Sequence, residues 1–160
     1  MATEISVLIT QGCVTTEVLD PAAVAPGAKS AKIVHSKFDV KIPLSGTTTP
    51  PVTIASHQTL ALASGTIDLT ALPTVQGTVS ASGKKLRHLR INNRLGTHVF
   101  SIAVGAANGY VIGGNPIAVP AGGSVNLYFK DGLAAIDGTH KTLDYTFFAA
   151  DQADVTLILG

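Results

Sequence analysis

P-I-A-V-P-A-G-G-S-V-N-L-Y-F, residues 116–129, decides the fold class of this chain. Ile117 and Val119 precede Pro120, and Val125, Leu127 and Phe129 follow Ser124, each set with apolar residues at every second position. A period of two lines one face of an extended strand. Between the two runs, P-A-G-G-S (120–124) carries the proline and paired glycines of a tight turn. The spacing predicts two strands joined as a hairpin.

The same grammar continues on both sides. Upstream, Leu89 and Ile91 point one way and His88, Arg90 and Asn92 the other. N-N-R-L-G (92–96) then supplies turn residues, and Phe100, Ile102 and Val104 return to the core, which predicts a hairpin from Leu86 to Val104. Downstream, T-L-D-Y-T-F-F (142–148) and V-T-L-I-L-G (155–160) read as a last hairpin. Towards the N-terminus, residues 57–72 offer two short strands about Ser64-Gly65, with Leu60, Leu62, Ile67 and Leu69 inward. Phe38, Val40, Ile42 and Leu44 alternate with Lys37, Asp39 and Lys41 as a further strand. Roughly eight strands without a sustained helical period point to an all-β chain, an antiparallel β-sandwich of jelly-roll type over 32–160.

Residues 1–31 read differently. Pro21, Pro26 and Gly27 break any helix, yet Ile5, Val7, Leu8, Val18 and Leu19 call for burial. The expectation is an extended N-terminal arm lying on its own sandwich or on a neighbour, with strands of the core sheet at 4–10 and 14–19 as the alternative.

Composition favours contact between subunits. Of the 160 residues, 46% are hydrophobic and only 13% charged, against about 25% charged in an ordinary soluble domain. Part of this apolar excess is expected to be buried between copies. The net charge of +1 gives no general attraction to nucleic acid or membrane. Lys84, Lys85, Arg87, Arg90 and Arg94 nevertheless crowd into one flank, while Asp131, Asp137, Asp144, Asp151 and Asp154 mark an acidic end. Opposite patches of this kind suit a contact between neighbours. Cys13 is the single cysteine, which leaves no internal disulfide or cysteine-based zinc site. No apolar run approaches the roughly 18 residues of a membrane span, and Ile5–Ile9 lacks the basic start of a secretory signal.

The motifs of catalysis do not assemble. There is no G-x-S-x-G and no pair of glycines two apart, so neither a nucleophile elbow nor a dinucleotide fingerprint is present. G-T-V-S-A-S-G-K-K (77–85) misses a phosphate loop by one residue of spacing and carries Lys85 where a Ser or Thr should hold magnesium. His35, His57, His88, His98 and His140 form no local ligand pair; His88 and His98 could meet only across the predicted hairpin, in a region without acids. The basic flank has no aromatic on which a base could stack. The reading is therefore of a non-enzyme with no cofactor, no metal and no direct nucleic-acid or membrane partner. A carbohydrate-binding module is the alternative from another class, with Tyr110, Tyr128 and Tyr145 as its available rings and Tyr110 in the loop N-G-Y the best placed.

T-L-A-L-A-S-G-T-I-D-L-T-A-L-P (59–73), G-K-K-L-R-H-L-R-I-N-N (83–93), V-G-A-A-N-G-Y (104–110), the run 116–132 and the closing V-T-L-I-L-G (155–160) together resemble small virion structural proteins of tailed bacteriophages, of the head decoration or cement type. The resemblance covers Thr59 to Gly160, and capsid, tail and fibre subunits share its style. It implies a protein made in the host cytoplasm and located on the virion, where it binds the outer surface of the head. The implied partners are the major capsid protein and further copies of the same chain, most often as a trimer. It brings no catalytic residues. The expected interface residues are the basic flank Lys84, Lys85, Arg87, Arg90 and Arg94, with Ile5, Val7, Leu8, Val18 and Leu19 of the arm.

Overall fold

The computed structural model describes residues 6–18, 32–48, 51–61, 64–93, 97–114, 116–147 and 151–160, with main chain alone at 6–18 and 32–41. Ile5, Leu19 and Arg94 lie outside the described residues. The described chain is all β, and among its residues no helix is long and apolar enough to cross a membrane.

Two compact units are present. In the first, 6–44, β1 (Ser6–Val18) pairs with β2 (Lys32–Ser45) in a two-stranded sheet. The segment 32–44, read from sequence as the start of the sandwich, thus clusters with β1. The second unit, over 45–160, contains β3 (Ile54–Leu60), β4 (Ser64–Asp68), β5 (Leu72–Thr74), β6 (Gly77–Val79), β7 (Leu86–Asn92), β8 (Phe100–Val104), β9 (Ile117–Val119), β10 (Ser124–Tyr128), β11 (Thr142–Thr146) and β12 (Ala153–Leu159).

Two four-stranded antiparallel sheets, ordered β10-β7-β12-β3 and β4-β11-β8-β9, make up most of the second unit. β5 and β6 form a small hairpin apart from them. Each predicted hairpin is corrected by this order. β7 and β8 fall in different sheets, as do β9 and β10, and β11 and β12. The turn at 120–124 forms as expected, with Gly122 at φ 68° and Gly123 N–H donating to Pro120 O at 2.9 Å. Its work is to carry the chain from one sheet to the other.

The pairing has a simple logic. β3, β4, β7 and β8 pair in reverse order with β12, β11, β10 and β9, as rungs of one long antiparallel ribbon. Lateral pairing of β12 with β7 and of β11 with β8 then closes each sheet. Non-local rungs satisfy main-chain groups that a local hairpin would satisfy equally well. The choice therefore falls to burial of side chains.

That burial draws on both sheets. Leu89, Ile91, Val155, Leu157 and Leu159 from one and Ile67, Phe100, Ile102, Val119 and Leu143 from the other belong to a single buried cluster. Phe100, Tyr145 and Phe147 contact one another within it at centroid distances of 5.6–6.3 Å. Val104, expected in the core, stands at the exposed end of β8.

Candidate interaction surface

The basic flank is not one surface. The ladder pairs Ile158 with His88 and Leu159 with Leu86, leaving Arg87 as the extra residue of a β-bulge. A bulge re-aims the side chain it inserts. Arg87 is buried, 1% exposed, and its guanidinium donates from Nε to Phe129 O at 3.1 Å and from Nη2 to Lys130 O at 2.5 Å. Carbonyl dipoles thereby offset the cost of burying a cation. Gly132, at φ 74°, lets this turn close, since a Cβ there would lie 2.7 Å from Lys85 Cβ. Arg87 is thus a bolt between β7 and the 129–132 turn. Of the expected cations, Lys85 and Arg90 are exposed and Lys84 is half-buried. Val7, Leu8 and Val18 lie on β1.

Arg90 stands on a polar sheet face that register assembles from four strands. Asn126, Arg90, Thr156 and His57 form one row across β10, β7, β12 and β3, and Ser124, Asn92, Asp154 and Thr59 form the next. His57 Nδ1 lies 3.0 Å from Thr156 Oγ1, and Thr59 Oγ1 donates to Asp154 Oδ1 at 2.8 Å. His57, Arg90, Asn92, Asp154 and Thr156 line a shallow depression of about 150 Å³. Donors and acceptors of both charges stand side by side, as a polar contact surface requires. The sequence reading missed this group because its members are up to a hundred residues apart in the chain, and only strand register brings them together.

His88 occupies the adjoining row, between Tyr128 and Ile158. It is only 5% exposed; Nε2 meets Asn126 Oδ1 at 2.5 Å and Nδ1 is buried with no hydrogen-bond partner. Burial pushes the imidazole below its usual value of 6.5; the Asn126 contact opposes this and the positive charge of Arg90 adds to it. The unfolded chain then takes up a proton before the folded one does. Stability is expected to fall as the pH drops below about 6.5, where the unfolded histidine titrates, and His88→Gln should flatten that part of the profile. A second decline belongs to carboxylates. Thr70 hydroxyl and amide groups hold Asp68 below the usual 3.8, and the amides of Thr97 and His98 do the same for Asp151, so this loss begins as pH falls through about 4. Melting temperatures measured from pH 7 to 3 check both windows.

The acidic end likewise does internal work. Asp151 is buried and accepts from Thr97 N at 3.1 Å and His98 N at 3.0 Å, tying the stretch before β8 to the stretch before β12. Asp144 accepts from Thr66 Oγ1 and Ala106 N, each at 2.7 Å. Asp137 accepts from Thr139 and His140 within its own turn, which holds its carboxyl far below the ordinary range. Among the described residues no three His, Cys, Asp or Glu side chains gather where they could hold a metal ion. His88 and His98 face different partners, Asn126 and Asp151, because β7 and β8 do not form the predicted hairpin.

Tyr110 corrects the sugar-platform expectation. Its ring is wholly buried, and its hydroxyl donates to Ala134 O at 2.6 Å and accepts from Leu86 N at 3.3 Å. A residue so placed braces two loops against the start of β7 and offers no face to a ligand. No protein-family model, curated protein or solved structure matches the chain.

Proposed function

We propose that this protein is a bacteriophage head decoration protein, a jelly-roll β-sandwich that binds the outside of the capsid and stabilises it through contacts between subunits. The observation that carries the reading is the strand order. Consecutive strands of one long ribbon pass between two four-stranded sheets as β3-β12-β7-β10 and β4-β11-β8-β9. Such an order is what the double Greek-key wrapping of a jelly roll requires, an architecture recurrent in viral shells, and it supports that reading. Fold alone does not give function. The charge-poor composition and the likeness of Thr59–Gly160 to virion structural proteins add the direction.

The side chains agree with a structural role. Arg87, Asp68, Asp137, Asp144 and Asp151 spend their hydrogen bonds on turns and main chain. The polar face around Arg90 and the exposed Lys85 are left to meet a partner. That partner is the major capsid protein, with the 6–44 unit as a second point of attachment.

Heating separates this role from others. Head particles lacking the protein should release DNA at a lower temperature than particles carrying it, and adding back purified protein should restore the difference. Equal release temperatures would overturn the proposal.

A further inference from the structure

Four strands close the edges of the large sheets: β3 and β10 in one, β4 and β9 in the other. An edge strand presents a row of unpaired main-chain groups, which proteins blunt with charge, proline or brevity. β4 ends on Asp68, β9 has three residues between Pro116 and Pro120, and β10 runs into Lys130 and Asp131. β3 has seven residues, the longest of these edges, and Ile54–Leu60 contains no proline and no Lys, Arg, Asp or Glu.

The ladder identifies the free groups. Gly160 and Lys85 exchange both main-chain hydrogen bonds, at 3.1 and 2.9 Å, so the even residues of β12 face β7 and the odd ones face β3. The register Leu157↔Ser56 and Val155↔Gln58 then turns the main chain of Ser56 and Gln58 towards β12 and that of Ala55, His57 and Thr59 towards the open edge. A slot of about 450 Å³ is lined by Ala55, Ser56 and His57 of β3, Thr156 of β12, and Pro73, Thr74 and Val75. β5 packs next to β3 but, among the described residues, pairs only with β6. Val75, at the tip, is 100% exposed.

We infer that β3 is a dimer seam, on which β3 of a second copy pairs antiparallel about a two-fold axis at His57. Unpaired N–H and C=O groups at strand spacing call for another strand. This row is self-complementary about its centre: Ala55 meets the partner subunit's Thr59, and His57 meets the partner subunit's His57. The pairing joins two four-stranded sheets into one and removes both edges, and an uncharged edge has nothing with which to repel its own copy. The inference rests on the reading of the chain as an assembly subunit and names one contact of that assembly.

Sedimentation of the full chain across micromolar concentrations tests it. The wild type should be a dimer, or an even-numbered assembly, in reversible exchange. His57→Pro removes an outward N–H and the side-chain contact with Thr156 while leaving the main-chain bonds to β12 in place, and edges tolerate proline where the N–H faces outwards. Each substitution acts twice in a two-fold seam, so about tenfold per copy becomes about a hundredfold weaker dimerisation. Val75→Asp, at a wholly exposed position, should weaken it too by setting a carboxylate at each slot, and it is the variant to read if His57→Pro fails to fold. A monomeric or trimeric wild type, or a dimer indifferent to the folded variants, overturns the seam. A monomer that still binds head particles would remove the seam and leave the proposed function standing. A seam lost in the variants of a protein that never binds particles would do the reverse.

Discussion

Phe100→Ala is expected to cost about 3–5 kcal/mol of folding stability, the range for deleting a buried aromatic ring, and to lower Tm by about 10 °C. The ring has no exposed surface; it stacks on Tyr145 at 6.3 Å and meets Phe147 in a tilted contact at 5.6 Å. It enters from β8, where it stands opposite Val119 of β9, while Tyr145 enters from β11. Removing it takes contacts from neighbours held by three strands of one sheet, and a ladder on either side leaves little freedom to collapse into the void. Aromatic pairs add about 0.5–1.5 kcal/mol beyond area burial, so the upper part of the range is expected. Val99→Ala is the control. Val99 is 54% exposed on the adjoining position and its truncation should change stability by less than about 0.5 kcal/mol. Urea unfolding of the three proteins decides the matter: a shift for Phe100→Ala below about 1 kcal/mol would mean that the ring is not in the core.

Phe100 also marks how far sequence reaches in this chain. Alternation in F-S-I-A-V placed Phe100 and Ile102 inward, and both are buried without remainder. Leu89 with Ile91 and Ile67 with Leu69 were read by the same period and are core residues as well. Period and turn chemistry act within a few residues, so they are written locally. Pairing is not. A Pro-Ala-Gly-Gly turn bends the chain back identically whether the next strand joins the same sheet or the opposite one, and the strands of the three predicted hairpins therefore pair elsewhere. The decision comes from rungs such as Leu143 against Ile67 and Leu157 against Ser56, whose members stand far apart in sequence. Late, non-local contacts of this kind are also the slow ones to form.

The surface divided along the same line. A run of cations in the sequence implies a basic patch, but a strand sends neighbours to opposite faces and a bulge adds one residue to the count. Arg87 fell inward for that reason and bonds Phe129 O and Lys130 O, while Arg90 faces outward. Nothing in the local sequence announces the bulge; it follows from matching Leu159 to Leu86 while His88 stays opposite Ile158. Tyr110 misled in a different way. N-G-Y has the composition of an exposed loop tip, yet the ring is drawn in because its hydroxyl finds Ala134 O and Leu86 N inside. Polar residues at a turn predict the turn and say little about the side chain that follows it.

Gly109→Ala, in that same loop, is expected to cost about 3 kcal/mol, the upper end for overpacking. Conformational freedom is not the reason: Asn108 holds the positive φ, at 54°. The reason is space. A Cβ on Gly109 would lie 2.3 Å from Gly105 O and 2.5 Å from Val104 Cγ1, well inside van der Waals contact. The valine methyl could turn away, but the carbonyl could not, because the N–H of the same peptide, that of Ala106, donates to Asp144 Oδ2 at 2.7 Å and fixes it. Gly109 itself is held on both sides. Asn108 O accepts from Lys141 N at 2.7 Å and Thr142 N at 3.0 Å, and Tyr110 N donates to Thr142 O at 2.8 Å. Relief therefore requires breaking the bridge that pins this loop to β11, and with it the position of Tyr110. Gly114→Ala supplies the comparison, since a Cβ there meets nothing within 4 Å and the residue has no positive φ. It should be neutral or slightly stabilising, because alanine narrows the unfolded ensemble. Denaturation midpoints with an unchanged m-value would read the difference as one of stability. If Gly109→Ala unfolds at the same urea concentration as Gly114→Ala, the loop 104–110 is free to move, and Tyr110 does not brace the end of the core.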